Sequence, residues 1–220
     1  MIEDLYSGKT NIIHIPNADE NTVKQFGVLQ EQDVHNQKIV KIGDENFSHT
    51  NDLLWHQDRG YHKDVPHFSA LLCLEADEGS SPTYFLNMQE LYNKSSDSLK
   101  QKAEGVVCMN SVTKYYNQSS HPYQFKSKAE ERLYRIKNRA EHPLVMEDKC
   151  GKFYFYSPAY TETDLEDEFL KLIEEQEPIV HHWKKNDFVI INNFKILHRR
   201  DTTPSHVNRK HLRYSINKHV

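Results

Sequence analysis

Glycine and proline are sparse in this chain, with 7 and 8 copies across 220 residues, and no stretch is of low complexity. A flexible linker or a repeat array would need more of either, so residues 1–220 read as a single domain. Cysteine is scarcer still. Cys73, Cys108 and Cys150 are odd in number, far apart and without C-x-x-C spacing. That argues against a disulfide framework or a thiolate zinc cluster and points to a reducing interior. No apolar run approaches the roughly 20 residues of a membrane span. The acidic start Met1-Ile2-Glu3-Asp4-Leu5 has no apolar core of a signal peptide. Basic excess is also missing: net charge is −4 with both signs mixed along the chain, so no nucleic-acid partner is expected. A cytoplasmic protein acting on a small molecule, with no membrane partner, is the expectation; oligomeric state stays open.

What the chain does have is aromatic bulk. Apolar content is only 37%, but 12 Tyr and 10 Phe supply large buried area per residue. Short β-like pieces recur: Ile12–Ile15, Ile39–Ile42, Phe68–Leu74, Pro82–Leu86, Phe153–Tyr156, Phe188–Ile191 and Tyr214–Ile216. Helical signals are fewer, at Met88–Asn93 and Ser96–Gly105. Ser127-x-x-Glu130 and Thr163-x-x-Glu166 each have capping-box spacing. Behind the second, Leu165, Phe169, Leu172 and Ile173 form one apolar stripe before Pro178. Many short strands with few helices predict a mainly β jelly roll.

Histidine is unusually common, with 14 copies. Most fall in polar contexts, among them His181-His182, His211 and His219, and are expected at the surface. His56-Gln57-Asp58 is different when taken with His198, which lies 140 residues beyond Asp58 and just past an apolar strand. Residues i and i+2 of a strand point the same way, so His56 and Asp58 can share a target. Two imidazoles and one carboxylate can occupy one face of a metal and leave the opposite positions open, the pattern of non-haem Fe(II) oxygenases. H-x-D alone is common; a turn or an ion pair with Arg59 would explain Asp58 as well.

The surroundings add weight. Trp55-His56-Gln57-Asp58 is followed by Gly79-Ser80-Ser81-Pro82-Thr83, then His142-Pro143-Leu144-Val145, Gly151-Lys152-Phe153-Tyr154, and a long block from Trp183 to Arg199. In order and spacing these resemble the TauD/TfdA-like (taurine dioxygenase) family of Fe(II)/2-oxoglutarate-dependent oxygenases, over roughly residues 50–216. The resemblance implies a double-stranded β-helix, with iron held by His56, Asp58 and His198. It also implies that 2-oxoglutarate and O₂ are consumed to oxidise an unactivated C–H bond, releasing succinate and CO₂. An Asp in the second ligand slot, rather than a small residue, disfavours the halogenation carried out by related enzymes.

The R-x-x-x-R of Arg209 and Arg213 on a closing strand resembles the family's co-substrate clamp, and Thr83 resembles the hydroxyl that bonds the same molecule. Residues 209, 211 and 213 of a strand share a face, so both arginines can point inward. A guanidinium gives fixed-charge, two-pronged carboxylate recognition that Lys210 could not. Which arginine is the main clamp is left open; taken singly, either could be a solvated surface residue. Three positions depart from the family pattern. Arg199 and Asn186 stand where glycines are usual, and Asn192-Asn193 replaces Asp-Asn. These bear on loop shape and ligand orientation rather than on the ligand set.

For the substrate, Arg213 could hold an anionic group, Asp52 an ammonium, and Tyr61 and Tyr156 could line the pocket. A small polar, amino-acid-like or anionic molecule is therefore expected, although for each residue alone Asp52 as a turn cap and Tyr156 as core are the favoured readings. The rivals are a zinc-dependent hydrolase or lyase on the same jelly roll, and a non-catalytic metal-binding member of the family.

Overall fold

A computed structural model of the chain describes residues 2–31, 38–43, 51–118, 125 and 127–218. Helices α1 (Ile2–Ser7) and α2 (Glu20–Lys24) flank β1 (Ile12–Ile15). Then come β2 (Val28–Leu29), β3 (Ile39–Ile42), β4 (Leu53–His56), β5 (Phe68–Ala76) and β6 (Thr83–Asn87). The middle of the chain supplies α3 (Met88–Lys94), α4 (Asp97–Ala103), β7 (Val107–Ser111), α5 (Val112–Gln118), α6 (Lys128–Lys137) and β8 (Arg139–Pro143). It continues with β9 (Val145–Asp148), β10 (Gly151–Tyr154), β11 (Thr161–Glu162) and α7 (Glu166–Glu174). The last four strands are β12 (Ile179–His181), β13 (Phe188–Asn192), β14 (Ile196–Arg200) and β15 (Arg209–Asn217).

Two antiparallel sheets dominate. One runs β1-β13-β5-β15, with β3 and β2 paired to the far edge of β15; the other runs β12-β6-β14-β4. This is the expected double-stranded β-helix, and period-2 alternation decides what each face does. On β13, Phe188 and Ile190 face outward into a core with Leu5, Val23 and Phe26 beneath α1 and α2. Val189 and Ile191 face the other way, into a cluster with Phe85, Trp183 and Ile196 between the sheets. Every residue of β13 is buried, so its sequence is a continuous apolar run rather than an alternating one. Helices α3, α4 and α7 cover the outside of the smaller sheet around Leu86, Leu197, Tyr154 and Phe169. Each such side chain contributes on the order of 1.5–3 kcal/mol by leaving water.

The polar residues of the interior follow the same alternation. Ser69 on β5, Thr83 on β6, His198 and Arg200 on β14, and Arg209 and Arg213 on β15 line one cavity between the sheets. A β-bulge between Lys210 and His211 shifts the β15–β5 register, yet Arg209, His211 and Arg213 keep to one face. His211 is fully buried there, which corrects the surface placement expected for it; His219 lies outside the described residues.

The helix starts differ. Ser127 Oγ accepts the Glu130 N–H at 3.1 Å, so that cap forms as expected, and the helix stops at Lys137 because Arg139 enters β8. Thr163 does not cap α7. Its Oγ1 accepts the Leu165 N–H instead, and the Glu166 carboxylate is drawn 2.7 Å from Lys114 Nζ. The apolar stripe Phe169, Leu172 and Ile173 is buried as predicted, so packing rather than capping places this helix. The strand expected over Phe153–Tyr156 ends at Tyr154, although Phe155 and Tyr156 stay buried. The three cysteines are free thiols, and no helix among the described residues is long and apolar enough to cross a membrane.

Candidate active site

β4 and β14 are antiparallel neighbours, and their register sets His56 directly opposite His198. The two imidazoles stand with ring centroids 4.2 Å apart. Asp58 lies in the turn after β4 rather than on the strand, so the i, i+2 argument succeeds only in part: the turn, not the pleat, delivers the carboxylate. Its Oδ1 lies 3.6 Å from His56 Nε2 and 3.9 Å from His198 Nε2. One donor atom from each of the three falls within 4.8 Å of the others, a group able to hold one metal ion, and all three residues are buried. The Leu54 carbonyl, 2.7 Å from His56 Nδ1, can only accept a hydrogen bond. It therefore fixes the Nδ1–H tautomer and leaves Nε2 with its lone pair. Neutral nitrogens with one hard anionic oxygen suit divalent iron.

The charge state fits that use. Burial works against ionisation of Asp58, but the Arg213 guanidinium beside it is the largest opposing influence and its carboxyl is held well below the usual range. Arg213 NH1 lies 3.5 Å from Asp58 Oδ1, and Ser69 Oγ donates to Oδ2. Burial, reinforced by His56, pushes His198 down to about 3, so it is neutral near pH 7. Asn193 grips the backbone of Asp58 from both sides: its Oδ1 accepts the Asp58 N–H and its Nδ2 donates to the Asp58 carbonyl, each at 2.8 Å. Asp58 thus pairs with Arg213 and not with Arg59, whose guanidinium donates to the Glu31 carbonyl.

The opposite wall carries a buried cation. Arg209 is 1% exposed, and its guanidinium donates to the Ser81 carbonyl and to Thr83 Oγ1, both at 3.1 Å. Both acceptors are neutral, and among the described residues no carboxylate pairs with it. Burial, with Arg200 nearby, pulls Arg209 down to about 9, the mark of a cation without a counter-ion. Thr83 Oγ1 also accepts the Trp183 Nε1–H at 2.8 Å. With two donors on its oxygen, the hydroxyl hydrogen remains to be given to a bound acceptor. An anion with a planar, forked acceptor is what this wall lacks. The cavity is narrow, and Phe85, Val189 and Ile191 contribute apolar surface to its lining.

Not every expected residue comes to the site. Tyr61 stays one ring removed and outside the cavity lining: it packs on Tyr160 at 4.8 Å, and Tyr160 is 6.1 Å from the His56 ring. Asp52 is exposed at the start of β4, outside the cavity, where its charge supports Arg200. Tyr156 is not at the site. It is fully buried in the core, stacked on Phe169 at 4.4 Å, because the chain leaves β10 toward α7. Asn186 has φ of +67°, a left-handed conformation that Asn tolerates, which explains how it stands in a glycine position. Arg199 lies over Tyr84 at 4.0 Å and pairs with Asp201. Sequence reasoning missed Ser69, Arg200 and the role of Trp183. Ser69 was the one signal available, a hydroxyl inside an otherwise apolar strand.

An antiparallel jelly roll with a buried His-Asp-His group beside an arginine that meets only neutral acceptors among the described residues is compatible with metal-dependent chemistry on an anionic co-substrate. The sequence profile of the taurine catabolism dioxygenase TauD, TfdA family matches residues 14–215. The chain belongs to this family, and the match reaches back to β1 rather than beginning near residue 50. It is an Fe(II)/2-oxoglutarate-dependent oxygenase, with O₂ as the second co-substrate. Among solved structures, AAD-2, crystallised with Mn(II) and N-oxalylglycine, superposes with a TM-score of 0.75 at 18% identity, covering 100% of this chain and 88% of that one. A putative α-ketoglutarate-dependent 2,4-D dioxygenase from Burkholderia xenovorans gives 0.73 at 21% identity, covering 97% and 85%. An asparagine oxygenase with Fe(II), 3-hydroxyasparagine and succinate gives 0.57 at 19%, covering 76% and 50%. At these identities the likeness establishes the fold. No curated protein sequence matches the chain significantly.

Proposed function

We propose that His56, Asp58 and His198 hold the iron, that Arg209 and Thr83 receive the distal carboxylate of 2-oxoglutarate, and that the enzyme hydroxylates an unactivated C–H bond of a small polar, anionic or amino-acid-like substrate. The observation that carries this reading is the shared cavity: a buried guanidinium with only neutral acceptors opens onto the same space as the two imidazoles and the carboxylate. When bound, the iron with 2-oxoglutarate and O₂ supplies the oxidising power, and succinate and CO₂ leave. The chain's residues do the rest. Arg209 sets the position of the co-substrate by a forked contact, with the Thr83 hydroxyl as a further donor. Asp58 stays ionised under Arg213 and Ser69, and the Leu54 carbonyl aims His56. Phe85, Val189 and Ile191 add apolar lining, which would disfavour water beside the reacting groups.

Charge supports the anionic form of the substrate. Arg200, Arg209 and Arg213 line the same cavity as Asp58, while Arg199 is paired with Asp201, and walls carrying guanidinium groups favour an anionic substrate. The asparagine oxygenase of the same fold, crystallised with hydroxyasparagine, supports the amino-acid-like form. Nothing in a zinc hydrolase would call for a buried Arg209, so that rival gains no support. Anaerobic titration with Fe(II) and 2-oxoglutarate tests the site: wild type should develop a weak visible charge-transfer band that His56→Ala lacks. Amino acids and sulfonates should then be screened for substrate-dependent succinate. No band in wild type sinks the site assignment, whereas a band without any succinate sinks only the substrate class.

A further inference from the structure

We infer that His14, His181 and Asp187 form a second divalent-metal site, for zinc or a cation of similar softness, which ties together two open sheet edges. β1 is an edge strand of the larger sheet and β12 an edge strand of the smaller one. His14 belongs to β1, His181 closes β12, and Asp187 immediately precedes β13. The Nε2 of His14 lies 3.1 Å from Asp187 Oδ1, and the Nε2 of His181 lies 3.4 Å from Oδ2. One donor atom from each residue falls within 4.8 Å of the other two. Ligands on a tetrahedral zinc with bonds of about 2.0–2.1 Å stand roughly 3.3 Å apart, so donors within 4.8 Å of one another would draw inward to accept the ion.

Hydrogen bonding by itself accounts poorly for the cluster. The buried Nε2 of His181 has no hydrogen-bond partner although a carboxylate is close by, and Asp187 Oδ2 already accepts the Lys184 N–H at 2.9 Å. Burial, helped by His14, lowers the pKa of His181 despite Asp187, which keeps the ring in the neutral form that binds metal. Two imidazoles with one carboxylate suit zinc better than magnesium or calcium, which prefer oxygen. The side chains of Asp187 and His181 are 6% and 16% exposed, and that of His14 is 44% exposed. Solvent can therefore supply a fourth ligand from the His14 side. Edge strands with unpaired backbone are weak points of a sandwich, and an ion bound here would join two of them. The site shares no ligand with His56, Asp58 and His198.

Metal-free protein titrated with zinc against a chromophoric chelator tests this. One equivalent bound by wild type should be lost, or weakened at least tenfold, in His14→Ala and retained in His56→Ala. Unchanged stoichiometry and affinity in His14→Ala, or no zinc bound by His56→Ala, would overturn the inference. X-ray absorption of zinc-loaded His56→Ala, which leaves the cluster intact, should show two imidazoles; an oxygen-only shell would also overturn it. If the iron site itself took no zinc, wild type would bind a single equivalent that still disappears in His14→Ala, so the two assignments fail separately.

Discussion

Among the described residues two clusters of two histidines and one aspartate stand out, and their surroundings make them unequal. Asp58 is held on every side: Ser69 and Arg213 on its carboxylate, Asn193 on its backbone, and a cavity in front with Arg209 across it. Asp187 has a backbone N–H and two histidines, one half in solvent, at the rim of the two sheets. In the function proposed above, the same three residue types make a reaction centre in one place and a clasp in the other. What separates them is a buried cation and enclosed space, not the ligand set.

The comparison can be broken most severely at Asp58. Asp58→Ala should abolish the charge-transfer band and lower substrate-coupled succinate release by about 10³-fold or more, since an open-sided metal loses its anionic ligand. His14→Ala should leave that rate within about twofold; an equal loss in both would erase the distinction. Next comes Arg209→Met. Truncating one partner of a buried charge pair costs about 2–5 kcal/mol, so the 2-oxoglutarate Kd should rise on the order of 10²–10³-fold in a binding titration. Asn193→Ala is smaller: losing the grip on Asp58 should weaken Fe(II) binding roughly 10–100-fold, read by competition with a chelator. Smallest is Tyr156→Phe. The Tyr156 hydroxyl is buried without a hydrogen-bond partner. Removing it should stabilise the fold by up to about 1 kcal/mol, or roughly 2–4 °C in Tm for a chain of this size, and leave turnover unchanged. A large loss of turnover would return Tyr156 to the pocket.

Legibility varied with the range of the interaction that decides each feature. Strands such as Phe188–Asn192 were readable because burial on both faces demands a continuous apolar run. The Ser127 cap was readable because it spans three residues. Thr163-x-x-Glu166 misled because Lys114, distant in sequence, captures Glu166. His211 and His181 looked like surface histidines because nothing local records that β15 is central in its sheet or that Trp183 packs against both rings. Tyr61 and Tyr156 looked alike in sequence, and only the turn after β4 packs Tyr61 on Tyr160 beside His56, while the chain leaving β10 lays Tyr156 against Phe169.

By itself the sequence determined the mainly β fold, through many short apolar strands, and the family, through blocks in a recognisable order whose resemblance points to His56, Asp58, His198, Thr83 and Arg209 as the site. Tertiary structure alone decided that His56 faces His198 across a strand pair, that Arg209 rather than Arg213 lacks a carboxylate, and that His14 meets His181. Each of these depends on register and sheet order between segments far apart in the chain, where local propensity carries no information.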